Sequence, residues 1–171
     1  MSGSIVKKAE HCPVELTAAH LRHSFACFPS GVAAVCAKVG GVPVGMAMSS
    51  FTAVSLDPPL VSVCVDIGSS TWPVLRGASW LGVSVLAEHQ AGICKSLAAR
   101  NGNRFAEIDW TDNASGAVFI AGASLTLECE IYQAIRAGDH DIILLQTSVV
   151  VPELANPPLI FHGSMFKVLA S

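Results

Sequence analysis

The chain runs to 171 residues, 51% of them hydrophobic and only 13% charged, with a formal net charge of −3, where a globular domain usually carries about 25% charged residues. That length fits one domain with a single core. The sparse charge implies a buried subunit interface, and the scattered Lys and Arg exclude a nucleic-acid partner, whose phosphates require a basic stripe.

The N-terminus, Met1 to Cys12, holds Lys7, Lys8 and Glu10 but no apolar h-region. It reads as the start of a cytoplasmic protein, with residues 1–15 an extension and 16–171 the domain. Thr17 to Cys27 reads as an amphipathic helix with Leu21, Phe25 and Phe28 at i, i+4 and i+7, stopped by Pro29-Ser30-Gly31. The pattern then turns to β. Val32–Val39 and Val42–Ser49 are small, β-branched and apolar, and Gly40-Gly41 between them supplies the positive φ values of a tight hairpin. The longest charge-free stretch, 18 residues between Lys38 and Asp57, is broken by Gly40, Gly41, Pro43, Gly45, Ser49 and Ser50, and so does not read as a membrane span.

Leu60–Val65 and Leu81–Leu86 are further strands, Glu88–Arg100 a helix ended by Asn101-Gly102-Asn103, and Ser124–Gln133 alternates as a half-buried strand does. Asp141–Val151 and Met165–Leu169 complete the set. Six or seven strands joined by short turns, with two or three short helices between them, favour an antiparallel barrel over a doubly wound sheet. The six cysteines (Cys12, Cys27, Cys36, Cys64, Cys94, Cys129) are widely spaced, with no C-x-x-C, as reduced thiols are in a reducing compartment.

Three segments can carry chemistry. Gly45 to Leu60 offers backbone N–H groups and the Ser49 and Ser50 hydroxyls with little side-chain bulk, which suits the polar edge of a planar ligand seated against main chain. Ser69-Ser70-Thr71 precedes Trp72-Pro73, a helix start whose hydroxyls and free N–H groups suit a phosphate; the plain alternative is an ordinary N-cap. Gly138-Asp139-His140-Asp141 is a tight turn that would present His140 at a barrel mouth, or simply to solvent.

In order along the chain, Phe28-Pro29-Ser30-Gly31-Val32, Gly45 to Phe51 with Asp57-Pro58-Pro59, Ser69-Ser70-Thr71, Gly82 to Leu86, Arg104-Phe105-Ala106, Leu127-Glu128-Cys129, Ala137-Gly138-Asp139-His140 and Pro158-Leu159-Ile160-Phe161 resemble the flavin reductase-like family. These are short-chain NAD(P)H:flavin oxidoreductases, among them the reductase components of two-component monooxygenases. The resemblance spans about Leu16 to Leu169. It implies a mainly β fold with short helices, the antiparallel FMN-binding split barrel. It also implies FMN or FAD as flavin, NADH or NADPH as hydride donor, an oxygenase partner and a homodimer.

By that resemblance, Met46, Ala47, Met48, Ser49 and Ser50 would line the isoalloxazine, and Ser69, Ser70 and Thr71 would hold the phosphate with Arg104. Phe105 would pack beside them, His140 would sit near the nicotinamide, and Phe161 and His162 would stand near the mouth. Ala47 stands where many members carry threonine, and His162 where arginine is frequent, which leaves the nucleotide preference open. The implied reaction, hydride transfer from nicotinamide C4 to flavin N5, needs no general base, so His140 would be a positioning residue more than an acid.

Other readings draw on single features. His20, His23 and Cys27 fall at i, i+3 and i+7, a spacing zinc could use, but with no second cluster they read as helix packing and wet histidines, and no metal is expected. Met46 and Met48 read as soft core filler and not as metal ligands. The main rival from another class is a flavin carrier on the same barrel. A pyridoxamine phosphate oxidase-type activity would require more Lys or Arg near Ser69 to Thr71.

Overall fold

The computed structural model describes residues 15–169, so Cys12 and nearly all of the 1–15 extension lie outside the described residues. Thr17 accepts a hydrogen bond from the His20 N–H at 3.2 Å and caps α1 (Ala18–Phe25), which is shorter at both ends than the 17–27 expected. Among the described residues its apolar stripe finds no core. Leu21 is half-buried, whereas Phe25 and Phe28 stand 69% and 78% exposed. After β1 (Ser30–Gly31), the expected hairpin forms from β2 (Ala33–Val39) and β3 (Val42–Met48), closed at Val39↔Val42. Gly40 and Gly41 take φ 59° and 83° in its turn, the left-handed region that glycine enters without cost.

The chain continues through β4 (Thr52–Leu56), β5 (Pro59–Asp66), α2 (Trp72–Leu75) and β6 (Leu81–Val85). A 3-10 turn at Glu88–Gln90 leads into α3 (Ala91–Ala98), then β7 (Trp110–Asp112) and β8 (Val118–Ile120). The long hairpin of β9 (Leu125–Ala137) and β10 (His140–Pro152) precedes the short strands β11 (Ile160–His162) and β12 (Met165–Lys167). Seven antiparallel strands make the main sheet, in the order β3-β2-β6-β9-β10-β5-β4. Its two edge strands, β3 and β4, follow one another in sequence across Ser49–Phe51, so the linker draws the edges together. The sheet therefore curls into a barrel split along that seam. Sequence patterning missed β1, β4, β7, β8 and β11, which bring a three-stranded sheet (β1-β11-β12) and a separate β7-β8 hairpin.

Two apolar clusters meet on β2, whose residues Ala33 to Ala37 are all 0% exposed. One fills the barrel with Val35, Val63, Leu81, Val83, Ile143 and Leu145, plugged by Trp72 and Leu75 of α2. The other covers the outer face of β2 with Ala34, Cys36, Leu97, Phe105, Val118 and Ile120. The approach of β8 over the sheet is close enough that a Cβ on Gly82 would lie 2.0 Å from the Val118 carbonyl oxygen, so only glycine fits there. The Ile120 N–H donates to Ser84 Oγ at 3.0 Å, and Lys38 pairs with Asp112 at 2.6 Å, which fixes the β7-β8 hairpin on the barrel.

Candidate functional site

The exposed edge of β3 forms the floor of a cleft. In a two-residue hairpin the closing pair and every second residue from it bond to the partner strand, so Val42, Val44, Met46 and Met48 face β2. Pro43, Gly45 and Ala47 then turn their backbone groups outward. Pro43, with no N–H to leave unpaired, sits where an edge strand accommodates proline. The outward carbonyl of Gly45 accepts from Arg104 Nη1 at 3.1 Å. Ala47 presents its N–H and C=O to the cleft, and this main-chain donor and acceptor do not depend on whether alanine or threonine stands there.

The cleft encloses about 570 Å³, within the roughly 300–1,000 Å³ typical of small-molecule and cofactor sites. Met46 and Ala47 form its floor, and the loop after β5 contributes Asp66, Gly68, Ser69, Ser70 and Thr71 on one side. Leu97 and Ala98 at the end of α3, with Arg100 and Arg104, form the other. The loop is held by its own hydrogen bonds: Gly68 N–H to Asp66 Oδ1 at 2.6 Å, Ser69 N–H to the Asp66 carbonyl at 3.0 Å, and Trp72 N–H to Ser69 Oγ at 3.1 Å. Thr71 is the N-cap residue by position, but Ser69 supplies the capping oxygen of α2. Thr71 Oγ1 instead accepts from Arg104 Nη1 at 2.7 Å. Because both hydroxyl oxygens act as acceptors within the protein, each keeps its own proton to donate outward.

Arg104 thus joins the β3 edge to the loop before α2, and Gly45 is required where it does so. A Cβ at Gly45 would lie 2.5 Å from Cys36 Sγ and 2.9 Å from Phe105 Cζ. Among the described residues neither Arg100 nor Arg104 forms an ion pair, which leaves two guanidinium groups on the cleft beside three hydroxyls. That donor set suits an anion, and the apolar floor with a main-chain edge suits a planar polar ring. A flavin mononucleotide half fits both descriptions.

Of the residues expected at the site, Met46, Ala47, Ser69, Ser70, Thr71 and Arg104 come together on this cleft. The remainder lie elsewhere. Met48 is 9% exposed in the barrel core, and Ser49 is exposed in the β3–β4 link. Ser50 Oγ accepts from the Cys64 N–H at 2.8 Å and donates to the Cys64 carbonyl at 3.2 Å, tying that link to β5. Phe105 is buried against Trp110, with ring centroids 6.4 Å apart in an edge-to-face arrangement. Phe161 packs on Phe166 at 5.6 Å, and His162 is exposed at the end of β11.

His140 opens β10 opposite Asp66 of β5, one strand away from the cleft wall. Its Nδ1 lies 2.8 Å from Asp139 Oδ1, and the imidazole holds that carboxyl below its ordinary value. The residues missed from sequence are Asp66, Gly68, Leu97, Ala98 and Arg100. Asp66-Ile67-Gly68 carries the Asx-turn pattern, and Arg100 precedes Arg104 by four residues at the predicted helix end, so both signals were available. His20, His23 and Cys27 do not converge, and no group of three possible metal ligands occurs among the described residues. His20 Nε2 instead lies 3.4 Å from Ser24 Oγ on an exposed helix face.

The model of the family described as "Flavin reductase like domain" matches residues 25–170. The chain belongs to this family. It is 35% identical over 152 residues to the actinorhodin polyketide dimerase of Streptomyces coelicolor, covering 88% of this chain and 86% of that protein. It is 32% identical over 139 residues to the reductase subunit of a flavin-dependent monooxygenase, HsaB, of Rhodococcus jostii, covering 81% of this chain and 71% of the subunit. Among solved structures, it resembles an NADH:FAD oxidoreductase of Streptomyces globisporus in complex with NAD and FAD fragments, with a TM-score of 0.84, 35% identity, and coverage of 89% of this chain and 92% of that one. No helix of the described residues is long and apolar enough to cross a membrane.

Proposed function

We propose that the protein is an NAD(P)H-dependent flavin reductase that delivers reduced flavin to a separate oxygenase. The observation that carries the reading is the cleft on the β3 edge, where an exposed main-chain N–H and C=O, three hydroxyls and two arginines that form no ion pair among the described residues converge. Bound flavin supplies the redox chemistry by accepting a hydride from reduced nicotinamide. The residues of this chain bind and orient. Ala47 offers main-chain groups to the polar edge of the ring, and Met46 and Leu97 give it apolar contact. Ser69, Ser70, Thr71, Arg100 and Arg104 hold the phosphate end. Arg104 is pre-positioned by its bonds to Gly45 and Thr71, so little ordering accompanies binding. We assign the orienting of the nicotinamide to His140, which is hydrogen-bonded to Asp139 and lies one strand from the cleft wall.

The same reading takes a homodimer as the working state and the cytoplasm as its place. Large apolar side chains at the surface, such as Phe28 at 78% and Leu56 at 96% exposure, support a subunit contact. Free cysteines at Cys27, Cys36, Cys64, Cys94 and Cys129 fit a reducing compartment. The test follows loss of reduced-nicotinamide absorbance with NADH and NADPH, each with and without FMN, FAD or riboflavin. Flavin-dependent oxidation is the expected result. Flavin binding without nucleotide oxidation would replace the reductase reading with a carrier, and sedimentation gives the subunit number.

A further inference from the structure

The cleft is polarised from end to end. Arg100 and Arg104 stand where it runs into a neighbouring hollow over Pro43 and Val44, whereas Asp66 borders the cleft alone. The course of β3 puts this carboxylate at the other end. Arg104 holds the Gly45 carbonyl, while further along the same chain Ser50 is bonded to both backbone groups of Cys64, two residues before Asp66. Among the described residues Asp66 forms no ion pair. Its Oδ1 accepts from the Gly68 N–H at 2.6 Å, which commits one carboxylate oxygen and leaves the other for a ligand. Asp66 is also the register partner of His140 across β5 and β10, and opposed residues of an antiparallel pair project from one face with Cβ atoms about 5 Å apart. The Ile67 N–H donates to the Asp139 carbonyl at 3.1 Å, so the turn that carries His140 is pinned to the strand end that carries Asp66.

A ligand that gives its phosphate to the arginines meets Asp66 with the rest of its body, and hydride transfer creates a cation there. The hydride leaves nicotinamide C4 with its electron pair, so the nicotinamide is oxidised and its ring becomes positively charged; the flavin gains both electrons, and one proton from water completes its reduction. We propose that Asp66 stabilises the positive charge that develops on the nicotinamide ring. The proposal rests on the flavin-reductase reading, in which His140 orients that ring and thereby brings it to Asp66. A carboxylate attracts the cationic product more than the neutral reactant, and so acts more strongly in the transition state than in the ground state. Asp66 is exposed in the open cleft, and a ring laid over it removes the water that would screen it.

Asp66→Asn keeps an acceptor oxygen for the Gly68 N–H and removes only the charge. The full chain, saturated with FMN, is titrated by calorimetry with NAD⁺ and with tetrahydro-NAD, whose ring is uncharged and gives up no hydride. The variant loses affinity for NAD⁺ about fivefold, while tetrahydro-NAD and FMN each move less than about twofold, and single-turnover reduction of the flavin by NADH slows severalfold. Parallel loss of both nucleotides, or an unchanged affinity for NAD⁺, overturns the assignment even where turnover falls, because a carboxylate that only shapes the loop does not separate a charged ring from an uncharged one. If the unaltered protein binds no FMN, or binds it and takes neither nucleotide, the flavin-reductase reading fails and the proposal with it, an outcome distinct from nucleotides that bind and lose affinity together.

Discussion

Gly45→Ala perturbs the one point where the β3 edge, the outer core and Arg104 meet. The added Cβ would stand 2.5 Å from Cys36 Sγ and 2.9 Å from Phe105 Cζ, well inside the roughly 3.5–4.0 Å at which carbon contacts are optimal. Cys36 is 0% exposed and Phe105 8%, so neither has open space to move into. Overpacking of this kind costs about 1–3 kcal/mol. Alanine also stiffens the unfolded chain, which returns about 0.4–1 kcal/mol where the backbone conformation suits it, and Gly45 has no left-handed φ to forbid that. The net loss is therefore roughly 1–2 kcal/mol. For a chain of this size it lowers Tm by roughly 2–8 °C.

The assay is thermal and urea unfolding of Gly45→Ala, Cys36→Ala and the double variant. Removing Cys36 Sγ deletes the nearer clash, so the double variant is more stable than the sum of the singles by about 1 kcal/mol. Because Phe105 adjoins Arg104, the single variant also weakens flavin binding severalfold, and the double variant recovers part of that loss. A neutral or stabilising Gly45→Ala, or strictly additive penalties, would refute the account of why glycine occupies this site.

Gly82→Ala is harsher, since its Cβ would meet the Val118 carbonyl oxygen at 2.0 Å and backbone cannot turn aside; a loss above about 3 kcal/mol is expected from urea unfolding, or failure to fold. Burial pushes the Cys36 thiol from 9.0 to about 12 and the Cys129 thiol from 9.0 to about 11. The folded state keeps protons that the unfolded chain releases, so this stability is complete below pH 9 and is lost as pH rises through the window from 9 to about 12. Unfolding free energy then falls by up to about 1.4 kcal/mol per pH unit for each thiol, Cys36→Ala flattens the curve, and a profile flat over that window in the unaltered protein contradicts the burial. His140→Ala raises the nicotinamide KM or slows turnover while Tm stays within about 2 °C, as a surface change should; unchanged kinetics remove its positioning role.

How far the sequence reached depended on how many faces of each segment are buried. The β2–β3 hairpin was legible because Gly40-Gly41 fixes its turn and β2, covered on both faces, reads as a continuous apolar run. β9 was legible for the opposite reason, since Leu127 and Cys129 are buried while Glu130 is exposed. β4 was missed because it buries neither face fully: Thr52, Ala53, Val54 and Leu56 are all exposed, so nothing in Thr52–Leu56 alternates. The α1 stripe is apolar in the sequence, but among the described residues no core covers it. At the site, Ser69 to Thr71 and Arg104 could be seen as hydroxyls and a cation. Asp66 and Arg100 carry local signals, an Asx turn and a cation four residues before Arg104, but what joins them to the cleft is the pairing of β5 with β10 and the packing of α3 on β3, neither of which is local.

The position of the cleft follows from a problem that an open barrel must solve. A free edge strand exposes a row of unpaired N–H and C=O groups that invites pairing with another chain, and β3 is such an edge. Its outward groups are handled one by one. Pro43 has no N–H, and the Gly45 carbonyl is taken by Arg104 at 3.1 Å. The chain end of α3 and the loop from Asp66 to Thr71 then stand over the strand too far apart to touch it as a ladder partner would, and the gap between them is the cleft. The groups left at Ala47 remain available because a planar ligand with its own donors and acceptors can serve as the missing strand. On this argument the small residues Gly45 and Ala47 serve packing first, letting Phe105 and Leu97 lie against β2 and β3. The binding edge is what that packing leaves exposed.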